Sequence, residues 1–158
     1  MNVHSLWAVA LLASVPALAA HPNLSGEWHL NLDQSDFGSD YPVPSATVQK
    51  IAHKDPSLII ELTESVRGSE RTGTLKYTTD GREVTNEVIG TTMRATALWD
   101  ADELVIHTWG DVNGDRIDLV DRWILSDKGR TLTVKRHFES RDRKASQVIV
   151  LDKIKPPK

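Results

Sequence analysis

Cysteine is absent from this chain of 158 residues. That excludes disulfides, thiolate nucleophiles, thiolate metal sites and a lipid-modified cysteine. A basic excess is also missing. Nineteen Lys and Arg face 22 Asp and Glu, for a net charge of −3, and nucleic-acid binding favours the opposite sign. No internal repeat or low-complexity tract occurs. The one long apolar run, Leu6 to Ala13, is shorter than the roughly 20 residues a membrane span requires. Helical periodicity is almost missing after residue 20, and no connection is long enough to hold a crossover helix.

What is present begins with an address. Leu6-Trp7-Ala8-Val9-Ala10-Leu11-Leu12-Ala13 leads through Ser14-Val15-Pro16 to Ala17-Leu18-Ala19-Ala20. An apolar core followed by small residues is the pattern of a secretory signal, cleaved here near Ala19 or Ala20. No Lys or Arg precedes the run. The expectation is residues 1–20 as signal peptide, 21–154 as one domain, and 155–158 as a short flexible tail. The mature protein is expected to be soluble and exported, periplasmic or extracellular, with no membrane anchor.

The domain is written in short blocks of period-two alternation divided by turn residues, the signature of half-buried strands. Expected strands are 26–32, 46–54, 57–65, 70–78, 83–88, 91–99, 103–109, 115–125, 130–140 and 144–153. In the first, Trp28, Leu30 and Leu32 share a face. Pro56 cannot donate to a ladder and marks the corner between the second and third. Short connections make neighbours antiparallel. A sheet of that many strands leaves two edges exposed unless it curls and closes. The fold class expected is all-β, an antiparallel up-and-down barrel of about 8–10 strands with little or no helix.

The stretch Trp109 to Trp123, WGDVNGDRIDLVDRW, clusters oxygen ligands around a glycine. As a helix-flanked calcium loop it fails. Counted from Asp111, position 6 is Arg116 rather than glycine, and position 12 is Arg122 where a carboxylate is needed. Asn113-Gly114 is instead the strongest two-residue hairpin signal. Closing the turn there pairs Ile106 with Asp121 and Leu104 with Trp123, keeping the apolar faces together. A weak surface cation site at the tip stays open.

That pairing turns Asp121 inward with Leu119, Trp123 and Leu125. A following turn at Asp127-Lys128 sets Leu119 opposite Arg136, which shares its face with Leu132, Val134 and Phe138. Asp121 and Arg136 then lie diagonally on neighbouring strands. Two opposite charges among apolar neighbours must pair with each other or with a ligand. One reading is a structural ion pair at a barrel end open to water. The other is an arginine that receives an anionic headgroup.

Gly26-Glu27-Trp28 on the first strand, ahead of an antiparallel meander, resembles the opening of the lipocalin and fatty-acid-binding (calycin) superfamily. Asn23 to Trp28 with Ser35-Asp36-Phe37-Gly38, and later Asp121-Arg122-Trp123 and LSDKGRTLTV (125–134), resemble secreted bacterial proteins with a lipocalin-like domain. The resemblance implies that Trp28 helps close the barrel base. It also implies non-covalent binding of a small apolar or amphipathic molecule and does not imply an enzyme; no cofactor is expected. The ligand-binding candidates are Arg136, Asp121, Trp99, Trp123, Tyr77 and Phe138. Trp28, Trp99 and Trp123 fall on apolar faces, where tryptophans form core or pocket wall.

Other chemistry is thin. His29, His107 and His137 fall on faces opposite the apolar residues, and no pair has metal-ligand spacing. Cleavage after Ala20 would make His21 an amino-terminal copper chelator only if a second histidine approached. No Gly-x-Ser-x-Gly elbow occurs. Asp118 and Asp121 lie on opposite faces of one strand and cannot flank a substrate together. No catalytic residue or metal ligand is assigned. The alternatives to a ligand carrier are a packed barrel used as an envelope or surface interaction module, and a barrel-fold enzyme acting on a small molecule.

Overall fold

The computed structural model describes residues 20–39 and 41–155. The expected signal peptide lies outside the described residues except for Ala20, and the expected tail does so beyond Lys155. Ten strands follow in order: β1 (Gly26–Leu30), β2 (Ala46–Lys54), β3 (Ser57–Val66), β4 (Ser69–Thr78), β5 (Val84–Val88), β6 (Thr91–Asp100), β7 (Glu103–Val112), β8 (Asp115–Ser126), β9 (Thr131–Glu139) and β10 (Lys144–Lys153). Among the described residues the helical content is two single 3-10 turns, Leu32–Gln34 and Asp127–Gly129. All ten strands lie in one antiparallel sheet, ordered β4-β3-β2-β1-β10-β9-β8-β7-β6-β5. The up-and-down barrel expected from the alternation is the fold observed.

The hairpin at Asn113-Gly114 forms as the turn chemistry requires. Both residues are left-handed, with φ of 53° and 82°, the backbone of a type I′ turn. Ile106 stands opposite Asp121 and Leu104 opposite Trp123. Two other expectations are corrected. The first strand stops at Leu30 because the Asn31 side chain accepts from the Gln34 N–H (3.2 Å) and starts a 3-10 turn. Leu32 is thereby turned outward and is 43% exposed. The β8–β9 connection uses residues 127–130, not a two-residue turn. Asp127 and Lys128 both adopt left-handed φ (49° and 55°), and the Arg130 N–H returns to the Ser126 carbonyl at 3.1 Å. The register moves by two residues, so Asp121 faces Arg136 directly and Leu119 faces Phe138.

β1 pairs with β10, which joins the two ends of the domain. The remaining seam, between β4 and β5, carries no backbone ladder. Asn86 of β5 closes it with its side chain. Its Oδ1 accepts from the Lys76 N–H (2.8 Å) and its Nδ2 donates to the Lys76 carbonyl (3.0 Å). The amide thus stands in for a peptide group of the missing ladder. Nearer the base, the Gly81 N–H reaches across to the Ala97 carbonyl of β6 (2.9 Å).

The two barrel ends differ. One end, the base, carries the Asp55-Pro56 corner and the turns 79–83, 101–102 and 127–130. Its interior is packed by Leu24, Trp28, Leu58, Leu104, Leu132 and Leu151, each at most 1% exposed. Trp28 donates its indole N–H to the Leu24 carbonyl (3.0 Å), which ties the segment before β1 into this end. Asp55 Oδ1 accepts from Thr79 Oγ1 (2.7 Å), His53 Nε2 (2.9 Å) and Trp99 Nε1 (3.2 Å). Because His53 Nδ1 accepts from the Leu24 N–H (3.2 Å), its proton sits on Nε2 and points at Asp55. Burial alone would raise the Asp55 carboxyl. The hydrogen bonds from Thr79, His53 and Trp99 outweigh it and hold the group below its ordinary value of 3.8.

Two predictions come from these fastenings. Asn86→Leu removes both seam bonds and leaves the Lys76 peptide group without a partner. It should destabilise the barrel by roughly 1–3 kcal/mol and raise hydrogen exchange at the Lys76 amide, as read by denaturant titration and exchange mass spectrometry. A depressed acid contributes stability above its unfolded value and loses it as pH falls through the folded value. Asp55→Asn should therefore weaken the protein at neutral pH and flatten the loss of stability as pH falls below the ordinary carboxyl value of 3.8. Parallel acid profiles for variant and parent would contradict the role given to Asp55.

Candidate ligand site inside the barrel

The other end, the mouth, carries residues 31–39 and 41–45 and the turns 67–68, 89–90, 113–114 and 140–143. Towards it the interior changes character. Leu62, Glu64, Leu75, Thr108, Ile117, Leu119 and Phe138 take inward positions on their strands yet remain half-buried, while Arg71 and Gly73 are exposed. In a packed interior such positions would be closed off, as they are at the base. Gly73 is the clearest case. It stands opposite Leu62 on the inward side of β4, and a Cβ built there meets nothing within 4 Å. Gly110, also inward, differs, because Met93 Sδ already lies 2.6 Å from the place its Cβ would take.

Between packed base and open mouth sits the charge pair. Arg136 Nε donates to Asp121 Oδ1 and Arg136 Nη2 to Asp121 Oδ2, both at 2.8 Å. This is the planar two-bond geometry that makes arginine–carboxylate pairs strong. Asp121 is nearly enclosed, with 9% of its side chain exposed, whereas Arg136 keeps 33%. Arg136 takes an inward position on β9, opposite Asp121. Burial would lower the guanidinium pKa; the Asp121 charge and hydrogen bonds outweigh it, Glu64 adds to them, and the net shift is upward. Tyr77 completes the floor. Burial, then the Asp121 charge, pushes its phenol up to about 12, while a hydrogen bond with Thr108 pulls the other way. Gln147 faces Arg136 from β10 and donates to the Phe37 carbonyl at 3.0 Å.

The six residues expected from sequence do not all meet. Asp121, Arg136 and Tyr77 converge. Phe138 lies two residues mouthward of Arg136, and Trp123 two residues baseward of Asp121. Trp123 is 5% exposed and its indole N–H has no hydrogen-bond partner among the described residues. Trp99 stands apart. It belongs to the base, where it donates to Asp55 and stacks on His21 (4.7 Å, planes 5° apart). Four contributors went unassigned in the sequence reading. Glu64 carries the same signal as Asp121, a charge on an apolar face. Gly73 carries another, a lone glycine within a strand. Thr108 carries the period-two signal, two residues after the inward Ile106. Tyr41 carries no local signal, since only the folded loop brings its ring edge-on to Phe138 (5.5 Å, 73°) beneath Arg143 (5.5 Å).

Outside the barrel the chemistry is surface chemistry. His29 and His107 pair with Glu27 (2.8 Å) and Asp118 (3.0 Å), and both are about two-fifths exposed. An open depression of about 570 Å³ beside the 113–114 tip is lined by Asp111, Asp115, Asp118 and Glu139, with Arg116 and Arg141 among them. Asp115 there already accepts from the Arg141 N–H (3.2 Å). Among the described residues, no group of three or more His, Asp or Glu is placed to hold a metal ion.

No protein-family model matches the chain, and no curated protein matches it in sequence. Solved structures do match in fold. A secretory abundant heat soluble protein from Ramazzottius varieornatus aligns over 82% of this chain and 94% of its own, at 13% identity and TM-score 0.58. Zebrafish ileal bile acid-binding protein, in complex with cholic acid, aligns over 83% and 98%, at 14% identity and TM-score 0.56. Human cRBP IV aligns over 84% and 99%, at 16% identity and TM-score 0.54. The chain therefore has the calycin-type barrel fold that these proteins share.

Removing one member of the central pair strands the other. Arg136→Ala should destabilise the protein by about 3 kcal/mol, because Asp121 keeps an uncompensated charge in a nearly closed site. The double variant Asp121→Leu with Arg136→Met should recover most of that loss. Urea titrations of the parent and the two variants check this, and a double variant no more stable than Arg136→Ala would contradict the pairing.

Proposed function

We propose that the protein is an exported carrier that holds one small amphipathic molecule in the mouthward half of its barrel. The observation that carries the proposal is the unfilled space in front of Gly73, bordered by half-buried inward side chains. Apolar walls from Leu62, Met93, Ile117, Leu119 and Phe138 suit a hydrocarbon body. The Arg136, Tyr77 and Thr108 groups at the floor suit a polar head. Pockets of this kind, mainly apolar with a few converging polar groups, are typical of small-molecule sites. The cholic acid held by the zebrafish protein of the same fold supports the class of ligand. Export rests on the leader-like segment 6–20.

Tyr41 covers Phe138 at the rim with its hydroxyl buried and without a partner among the described residues. Opening would return that hydroxyl to water, so the rim is the natural way in.

Solvent extraction of protein taken from its native compartment should release an organic molecule identifiable by mass spectrometry. Purified protein stripped of it should take up an apolar fluorescent dye. Gly73→Trp should weaken dye binding at least about tenfold by filling the lumen, while leaving the melting temperature nearly unchanged, since a Cβ there meets nothing within 4 Å. An empty extract together with no dye uptake would overturn the proposal.

A further inference from the structure

We infer that the head group this site selects is uncharged, a hydroxyl or carboxamide rather than a carboxylate, and that Asp121 is the residue that sets the selection. The inference rests on the proposed carrier reading and deepens it.

An arginine in an apolar lumen is by itself a carboxylate receptor, and the sequence left that role open. The pairing removes it. Of the five guanidinium N–H groups, one on Nε and one on Nη2 are given to Asp121 at 2.8 Å each. The positive charge is compensated at hydrogen-bond distance. The other ionisable side chains whose charge acts on Arg136 are Glu64, an acid, and Tyr77. The phenol of Tyr77 stays protonated at neutral pH. Arg71 is the register partner of Glu64 on β4, but it is exposed at the mouth. The floor therefore offers an incoming anion no net positive field. A carboxylate there would lie beside Asp121 and within reach of Glu64, and like charges brought together in a poorly hydrated site repel strongly.

What remains suits a group that both donates and accepts. Three guanidinium N–H groups are left to donate. Asp121 has spent two of about four lone-pair positions and can accept again. Tyr77 and Thr108 add hydroxyls that work in either direction. A ligand hydroxyl or carboxamide satisfies both kinds of partner, whereas a carboxylate can only accept and would leave Asp121 facing another anion.

The test is a matched set of alkyl alcohol, alkyl carboxamide and alkyl carboxylate of one chain length, each displacing a bound apolar dye at neutral pH. The parent protein should prefer the alcohol and the amide over the carboxylate by at least about tenfold. Asp121→Asn keeps the shape and frees the guanidinium charge, so carboxylate affinity should rise at least about tenfold and the order should reverse. Should that variant fail to fold, Glu64→Gln supplies the second arm, with a smaller gain of about threefold for the carboxylate alone. Equal or tighter carboxylate binding by the parent overturns the inference while leaving the carrier reading intact, and so does an unchanged order in Asp121→Asn or an unchanged carboxylate affinity in Glu64→Gln. Absence of binding by the dye and by all three ligands overturns both.

Discussion

The arrangement turns on one cross-strand contact, the two parallel hydrogen bonds between Asp121 and Arg136. A carboxylate with 9% of its side chain exposed persists inside a barrel only with a partner that compensates its charge and meets its lone pairs. The pair sits where the packed interior ends. Baseward lie the closed leucines and Trp28; mouthward, the inward side chains keep accessible surface and Gly73 faces open space. It is thus both the roof of the hydrophobic core and the floor of the lumen. Its geometry requires Asp121 opposite Arg136, which depends on the four-residue β8–β9 connection.

The two ends are held by different means. At the base one carboxylate oxygen, Asp55 Oδ1, gathers donors from β2, β6 and the turn after β4. Ordering residues that far apart costs chain entropy, and the leucine core beneath offsets it. At the seam between β4 and β5 a single asparagine replaces a run of ladder bonds. Towards the mouth, β4 runs exposed from Ser69 to Thr74. Bonding is densest at the base and sparser beside the mouth, so local stability is expected to be lower there.

Most of the strand plan was legible because period-two alternation and turn residues agree with each other along this chain. The second and tenth expected strands match β2 and β10 to the residue. Asn113-Gly114 set the β7–β8 register correctly because a two-residue turn admits one pairing. The β8–β9 register was not legible. Asp127 and Lys128 carry no two-residue turn signal, and their left-handed backbones leave no mark in composition. β1 ended early for a similarly local reason, the capping side chain of Asn31. Within the site, inward charges betrayed themselves on apolar faces, which found Asp121 and Arg136. Asn86, Asp55 and Tyr41 act through partners brought close only by closure of the barrel, and alternation carries no information about such meetings. Trp99 shows the converse. Its apolar face was read correctly, but the alternation of β6 does not say which barrel end a residue occupies.

The most direct test of a ligand seated on the Asp121–Arg136 floor is a side-chain NMR titration with an alkyl alcohol. The account predicts that the Arg136 Nε–H resonance and the Leu119 and Leu62 methyls shift together and saturate at one equivalent, while the Leu58 and Leu132 methyls of the packed base stay in place. Shifts confined to outward residues such as Val120 and His137, with Arg136 unmoved, would contradict it.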